Sequence, residues 1–477
     1  MRYFSAPDID FARVRADLGI AEDYGAEALA EAQSAVDAFA DDREDLRHLP
    51  FVTIDPPSSR DLDQAVYLEP GRDGGFVVHY AIADVAALVR PGGALDAETR
   101  TRGTTFYFPD GSVPLHPRVL SEGSGSLLPD VDRPAVVWTI RVAPDGTVGD
   151  VADGSVSVRR ALVHVVGRLD YAGVSADAAR GTLHPSVALL PAFGDLRHRI
   201  ALERGSVTLD LPAQEVVRVD GRWTIRLATR HESEEWNAEL SLLTGMVAGK
   251  MMLDADVGLL RTLPPPGEEA VEAMHELAET LGIGWRDGES GGQFLARQPT
   301  AQPATLALMS AATGLLGGSG YLALPAENDD ATQPVTQHSG LAAVYAHVTA
   351  PLRRLPDRFA SEACLAIAGG RPVPQWVLDA LPGLPAEIAE SSRLAGRADR
   401  ESVDLAEAVV LEHAVGETFA AVVTRPARER RSAEVFIADP PVLAPCEGDL
   451  QPGRSLPVRL VRADPATRRV TFAPAQG

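Results

Sequence analysis

The stretch FVTIDPPSSRDLDQAV, Phe51 to Val66, decides how the chain is read. It places Asp55, Asp61 and Asp63 within nine residues, next to apolar runs with the character of buried strands. In an extended segment alternate side chains share a face, so Asp61 and Asp63 point the same way. The intervening PPSS can turn the chain and return Asp55 to them. Three carboxylates brought together repel one another and raise each other's pKa unless a cation sits between them. Magnesium or manganese held by aspartate oxygens, with open positions for water and phosphate, is the natural remedy and the arrangement suited to phosphodiester hydrolysis. The competing reading is three turn and helix-cap aspartates at a strand edge.

Outward from this stretch the period stays β. AVYLEP, a turn at GRDGG and FVVHYAIADV read as a hairpin, and VVWTIRVAPDGTVGDV repeats the pattern with Asp145-Gly146 at its turn. Upstream, within 22–40, Leu29, Ala32, Val36 and Phe39 recur at steps of three, four and three, which predicts an amphipathic helix. Helices dominate the middle. Leu240, Leu243, Val247 and Met251 form one apolar stripe, and Val271, Met274, Leu277 and Leu281 form another after a proline-rich, acidic start. The glycine cluster at 314–320 breaks the chain, and further helices are expected over 357–368 and 386–411. TFAAVVT, AEVFIA, LPVRLVRA and RVTFAP then give four short strands, the spacing of a small barrel of the OB kind.

The bulk properties bound the reading. At 477 residues the prior is about two or three domains. A net charge of −23, from 44 basic and 67 acidic residues, argues against wrapping duplex nucleic acid over a broad outer surface, though not against an enclosed, locally basic path. Lys250 is the only lysine, so nearly all positive charge is arginine, a bias with two readings: GC-rich coding, or an arginine-lined phosphate site. Cys364 and Cys446 stand far apart in no metal-type spacing, so neither a disulfide framework nor a zinc cluster is expected. No window of eighteen apolar residues occurs, and acids stand where a signal peptide would be apolar. The expectation is a soluble, cytoplasmic protein with no membrane segment.

TIDPPSSRDLDQA, followed in order by VVHYAIADVAALV, LDAETRTRGTTFYFPDGSVPLHPRVLSEGSGSLLPDVDRPA and HSGLAAVYAHVTAPLRRLPD, resembles the catalytic RNB domain of the ribonuclease II and R family over about 51–370. The resemblance implies an α+β fold: a large mixed sheet-and-helix catalytic domain over 49–370, a short helical segment over 1–48, a helical connector over 371–411 and an OB-like barrel over 412–477. It also implies a short form without the cold-shock barrels that precede this domain in larger members, and hence lower processivity. The implied activity is hydrolysis of single-stranded RNA, 3′ end first, to nucleoside 5′-monophosphates with magnesium, manganese being an alternative. No protein partner is implied, and a monomer is expected.

The family motif carries four aspartates. Asp55, Asp61 and Asp63 take the first three positions, as metal ligands and catalytic residues, and Gln64 takes the fourth. An amide oxygen can still ligate a cation but brings no charge, so one metal position should bind more weakly. A runner-up function follows: an RNB-fold module that holds RNA but has lost turnover. A third is an endonuclease or a phosphoesterase acting on small nucleotides. Arg353 takes the position of an arginine that steadies the scissile phosphate, a role suited to a fixed guanidinium. Tyr107 matches a stacking aromatic, and His347, Thr349 and Arg354 match RNA-facing positions, with His338 nearby. Ala350 and Leu355 replace a serine and an aromatic residue, and Ser361-Glu362 replaces a His-Arg pair, losses expected to remove RNA contacts. Glu239, followed by Thr244-Gly245 where the family has Ala-Asn, is expected to be structural. Arg425, Arg428, Arg430 and Arg431 form a loop that reads either as a reduced RNA-binding feature or as a solvated charge run.

Overall fold

The computed structural model describes residues 4–299, 302–326, 334–428 and 431–475. Two short helices come first, α1 (Ala12–Asp17) and α2 (Ala26–Gln33). The helix expected within 22–40 therefore stops at Gln33, where the Ser34 hydroxyl folds back onto the Ala30 carbonyl at 2.8 Å. Its buried face is Ala28 and Ala32, while Leu29 is 37% and Val36 78% exposed. The small face allows close docking on α3 (Ala94–Arg102), whose first amides, Ala94 N and Leu95 N, donate to the Glu31 carboxylate at 3.1 and 3.0 Å.

The opening stretch builds a sheet with β1 (Glu44–Asp45), β2 (Phe51–Ile54), β3 (Gln64–Pro70) and β4 (Phe76–Ala83). A small hairpin, β5 (Phe106–Phe108) and β6 (Gly111–Val113), precedes the long strands β7 (Asp132–Val142) and β8 (Val156–Leu169). The sheet order is β1-β8-β2-β3-β4-β7, with β7 pairing back onto β8, so the sheet curls upon itself. The Asp145-Gly146 turn is present, but TVGDV contributes only an isolated bridge at Val148, and the true partner of β7 is β8.

Both faces of the sheet are covered, which accounts for the nearly unbroken apolar run of β4. Val52, Val66, Val78, Tyr80 and Trp138 pack with Leu240 and Leu243 on one side. Phe51, Ala65, Ala81, Val137 and Val163 pack with Leu62 and Leu352 on the other. Each large apolar side chain so buried contributes about 1.5–3 kcal/mol relative to exposure.

Helices α4 (Tyr171–Arg180) and α5 (Leu190–Arg204), then the hairpin β9 (Gln214–Val219) and β10 (Arg222–Leu227), lead to α6 (Glu232–Asp254). The expected stripe of α6 is realised, with Leu240, Leu243 and Met251 buried. Its glycines serve a close approach. A Cβ at Gly245 would stand 2.2 Å from Tyr345 Cε2, and one at Gly249 would stand 2.9 Å from the Tyr345 backbone. The carboxylate of Glu239, expected to be structural, is buried 3.7 Å from the Arg197 guanidinium.

Strand β11 (Gly258–Thr262), helices α7 (Glu268–Thr280), α8 (Gly291–Ala296) and α9 (Pro303–Ala312), and strand β12 (Gly320–Leu324) complete the middle. The almost wholly buried α10 (Leu355–Ala368) follows, then α11 (Gln375–Ala380) and the long α12 (Leu384–Leu411). Last comes a closed barrel of β13 (Thr418–Arg425), β14 (Ala433–Ala438), β15 (Pro441–Cys446), β16 (Ser455–Asp464) and β17 (Arg469–Pro474), ordered β13-β14-β15-β17-β16. That closure fits the expected OB kind. The strand missing from the sequence reading is β15, whose Pro441 and Pro445 are atypical of a strand interior. Arg425 is tied to Ser310 Oγ at 3.1 Å, and Arg430 lies outside the described residues. Among the described residues no helix is long and apolar enough to cross a membrane.

Candidate active site

The acidic loop is held from two directions. Asp55 leaves β2 with its amide on the Leu169 carbonyl at 3.2 Å, and the two prolines that follow end the strand. The Arg168 guanidinium then donates to the carbonyls of Pro56, Pro57 and Ser59 at 3.2, 2.7 and 2.6 Å. On the far side the Ser126 hydroxyl donates to the Arg60 carbonyl at 2.7 Å and accepts the Leu62 amide at 2.9 Å. The loop thus returns to the sheet with Leu62 fully buried and Asp63 only 4% exposed.

A second segment, 348–354, meets it there. Asp63 Oδ1 accepts the Leu352 amide at 2.7 Å, and Asp63 Oδ2 lies 3.3 Å from Arg353 Nε. That contact has ion-pair distance without hydrogen-bond geometry, and Asp63 Oδ2, like Asp55 Oδ2, is buried with no hydrogen-bond partner. Alternation in β5 buries Phe106 and Phe108 and leaves Tyr107 53% exposed. Its hydroxyl donates to Asp61 Oδ2 at 3.4 Å. The Arg353 carbonyl accepts the Thr105 amide at 3.0 Å, which stitches the tyrosine to the arginine.

Burial pushes the Asp55 carboxyl up to about 6 and the Asp63 carboxyl up to about 8, and raises Asp61 as well. Arg353 opposes all three shifts, while the charge of Asp61 adds to those of Asp55 and Asp63. The structure therefore brings Asp55, Asp61, Asp63 and Arg353 into one electrostatic neighbourhood. Among the described residues no three His, Cys, Asp or Glu side chains already stand in a metal-binding group. The donor chemistry nevertheless fits a hard divalent ion: every available donor is a carboxylate oxygen, and two are buried and unpartnered.

Gln64, expected beside the cation, uses both ends of its amide elsewhere. Its Nε2 donates to the Thr349 carbonyl at 2.7 Å, and its Oε1 accepts the Tyr80 hydroxyl at 2.7 Å. Thr349, expected to face RNA, is 3% exposed and lies inside the fold. Arg354 is bound to the Asp357 carboxylate at 2.7 and 3.0 Å, because Asp357 also receives the Ala350 amide at 2.7 Å and organises this whole turn. The imidazole of His347 takes the Tyr321 hydroxyl at 2.7 Å, and burial holds it well below its ordinary pKa. His338 stacks edge-on against Tyr345 at 6.0 Å. Ala350, Leu355, Ser361 and Glu362, the replacements expected to remove RNA contacts, are all buried, and Glu362 pairs with Arg160. Sequence reasoning missed Tyr80, Ser241, Arg168 and Asp357. The only local signal was Asp357, a helix-start acid three residues past an arginine.

Fold and site together define a class: a curled α+β sheet domain with an acidic, arginine-backed cluster at a strand end, joined to a small closed barrel. A model of the RNB domain matches residues 43–363, and a model of the RNase II-type exonuclease C-terminal S1 domain matches 417–475. The chain belongs to the RNB family. It is 28% identical over 419 residues to ribonuclease R of Vibrio cholerae, covering 80% of this chain and 48% of the relative. Ribonuclease R of Escherichia coli is 30% identical over 347 residues, covering 66% of this chain and 39% of the relative. The chain thus spans about half the length or less of these curated relatives. Apo RNase R of Mycoplasma genitalium superimposes with a TM-score of 0.86 at 18% identity, over 98% of this chain and 78% of that one.

Proposed function

We propose that this chain is an exoribonuclease that hydrolyses single-stranded RNA from the 3′ end to nucleoside 5′-monophosphates. Family membership supports the class of reaction, as do relatives named ribonuclease R. RNase R of Mycoplasma genitalium, a structural neighbour, is known in complex with ribose methylated single-stranded RNA. The observation that carries the reading is the pair of buried, unpartnered oxygens of Asp55 and Asp63, 3.3 Å from Arg353 in the second case, next to the exposed Tyr107.

Asp55, Asp61 and Asp63 would hold magnesium or manganese, which when bound supplies charge neutralisation and an activated water. The residues themselves do the rest. Arg353 is fixed along its backbone by Thr105 and donates to the scissile phosphate, most strongly as negative charge grows. Tyr107 offers a sequence-tolerant stacking face for a base near the 3′ end, worth about 1–3 kcal/mol. Gln64 stays outside the ligand set, tied to Tyr80 and Thr349.

The test is incubation of uniformly labelled single-stranded RNA with magnesium or manganese, scored for nucleoside 5′-monophosphates. Release from a free 3′ end and resistance of a circular RNA are expected. Cleavage of the circle would make the chain an endonuclease, and tight retention of RNA without any product would make it a binding module.

A further inference from the structure

Gln64 is the uncharged member of the acidic motif, and its neighbours determine its orientation. Tyr80, 1% exposed on β4, has a hydroxyl with a single proton. It donates that proton to Gln64 Oε1 at 2.7 Å, so the contact with Ser241 Oγ at 2.9 Å is one in which the serine donates. With Oε1 committed to Tyr80, only the amide nitrogen can face the Thr349 carbonyl, which it does at 2.7 Å. A carboxylate at this position would set two acceptors against each other.

The Thr349 carbonyl opens the segment that delivers the Leu352 amide to Asp63 at 2.7 Å and the Arg353 guanidinium to within 3.3 Å of the same carboxylate. Side chains from α6, β4 and β3 thereby supply one of the ties that hold that segment against the acids, beside those from Asp357 and Thr105. We infer that Tyr80 is a positioning residue that acts through Gln64 on Arg353, with Ser241 as its anchor. The inference rests on the exoribonuclease reading above and deepens it: position 64 orients the arginine of the site rather than binding the ion.

The test is a mutant cycle in steady-state RNA hydrolysis. Tyr80→Phe removes one hydroxyl and almost no volume, and is expected to lower kcat about tenfold, the scale of one lost buried hydrogen bond. KM for RNA and the affinity for manganese, read by electron paramagnetic resonance, should stay within about twofold, since the acids and Tyr107 keep their contacts. In an Arg353→Ala background Tyr80→Phe should have no further effect, because its influence runs through the arginine. Ser241→Ala should move kcat in the same direction by about threefold, and it carries the cycle if Tyr80→Phe does not fold. An active parent whose Tyr80→Phe variant keeps full kcat overturns the inference alone. So does a loss that adds fully to Arg353→Ala or that tracks weakened manganese binding. A parent that releases no nucleotide overturns both the inference and the functional reading beneath it.

Discussion

Asparagine at position 63 would keep an acceptor for the Leu352 amide while removing the charge beside Arg353. Asp63→Asn should therefore lower kcat by about 100-fold or more and leave RNA retention on a filter within about threefold. Tyr107→Ala should do the reverse, raising KM about tenfold with kcat little changed, since stacking contributes to grip rather than chemistry. Gln64→Asp separates two levels of reading. From the motif alone, restoring the fourth acid should speed the reaction at low magnesium. The Thr349 carbonyl 2.7 Å from the amide nitrogen predicts the opposite, a loss of roughly three- to tenfold in kcat at low magnesium. The acids were legible because their spacing is local. Tyr80 and Ser241 were not, because the two are 161 positions apart and the bond exists only once α6 covers the sheet. The direction of the Thr349 and Arg354 side chains was likewise not legible, because it is set by Asp357 and the core rather than by their place next to Arg353 in sequence.

At the scale of elements, α6 and the segment it supports depend on glycines. Gly245→Ala would gain about 1 kcal/mol of helix propensity. Its Cβ would also stand 2.2 Å from the Tyr345 ring and 2.6 Å from the Ala346 carbonyl oxygen, and backbone does not yield cheaply. A net loss of about 2 kcal/mol in urea unfolding is expected. The stripe of α6 could be read from its period, whereas the glycine contacts could not, since they depend on what crosses the helix. The same contrast explains α2 and β15. Alanines hid the buried face of α2, and prolines disguised β15 as a loop, although β14 pairs with it along its whole length.

At the scale of the molecule, the junction of α12, the hairpin and the barrel holds a titratable group. Glu407 on α12 is 3% exposed, accepts Gln214 Nε2 at 2.6 Å from β9, and receives the Leu443 amide at 3.3 Å from β15. Burial pushes it from 4.5 up to about 8, with Asp404 adding to the rise and Gln214 and Leu443 opposing it. The folded state thus binds a proton the unfolded chain releases, so this group favours folding most below about 4.5 and loses its effect as pH rises through 8. Unfolding free energy should fall by up to about 1.4 kcal/mol per pH unit across that window. Glu407→Gln should flatten the profile, with urea melts at pH 5, 6.5 and 8 giving a growing advantage to the variant.

The bond between Asp63 and the Leu352 amide joins positions 289 residues apart. On a ribosome emitting the chain in order, the first acids emerge long before the arginine that completes their surroundings. The acidic cluster therefore stays without its arginine through most of synthesis, and its charge is borne unneutralised by a chain that is still being extended.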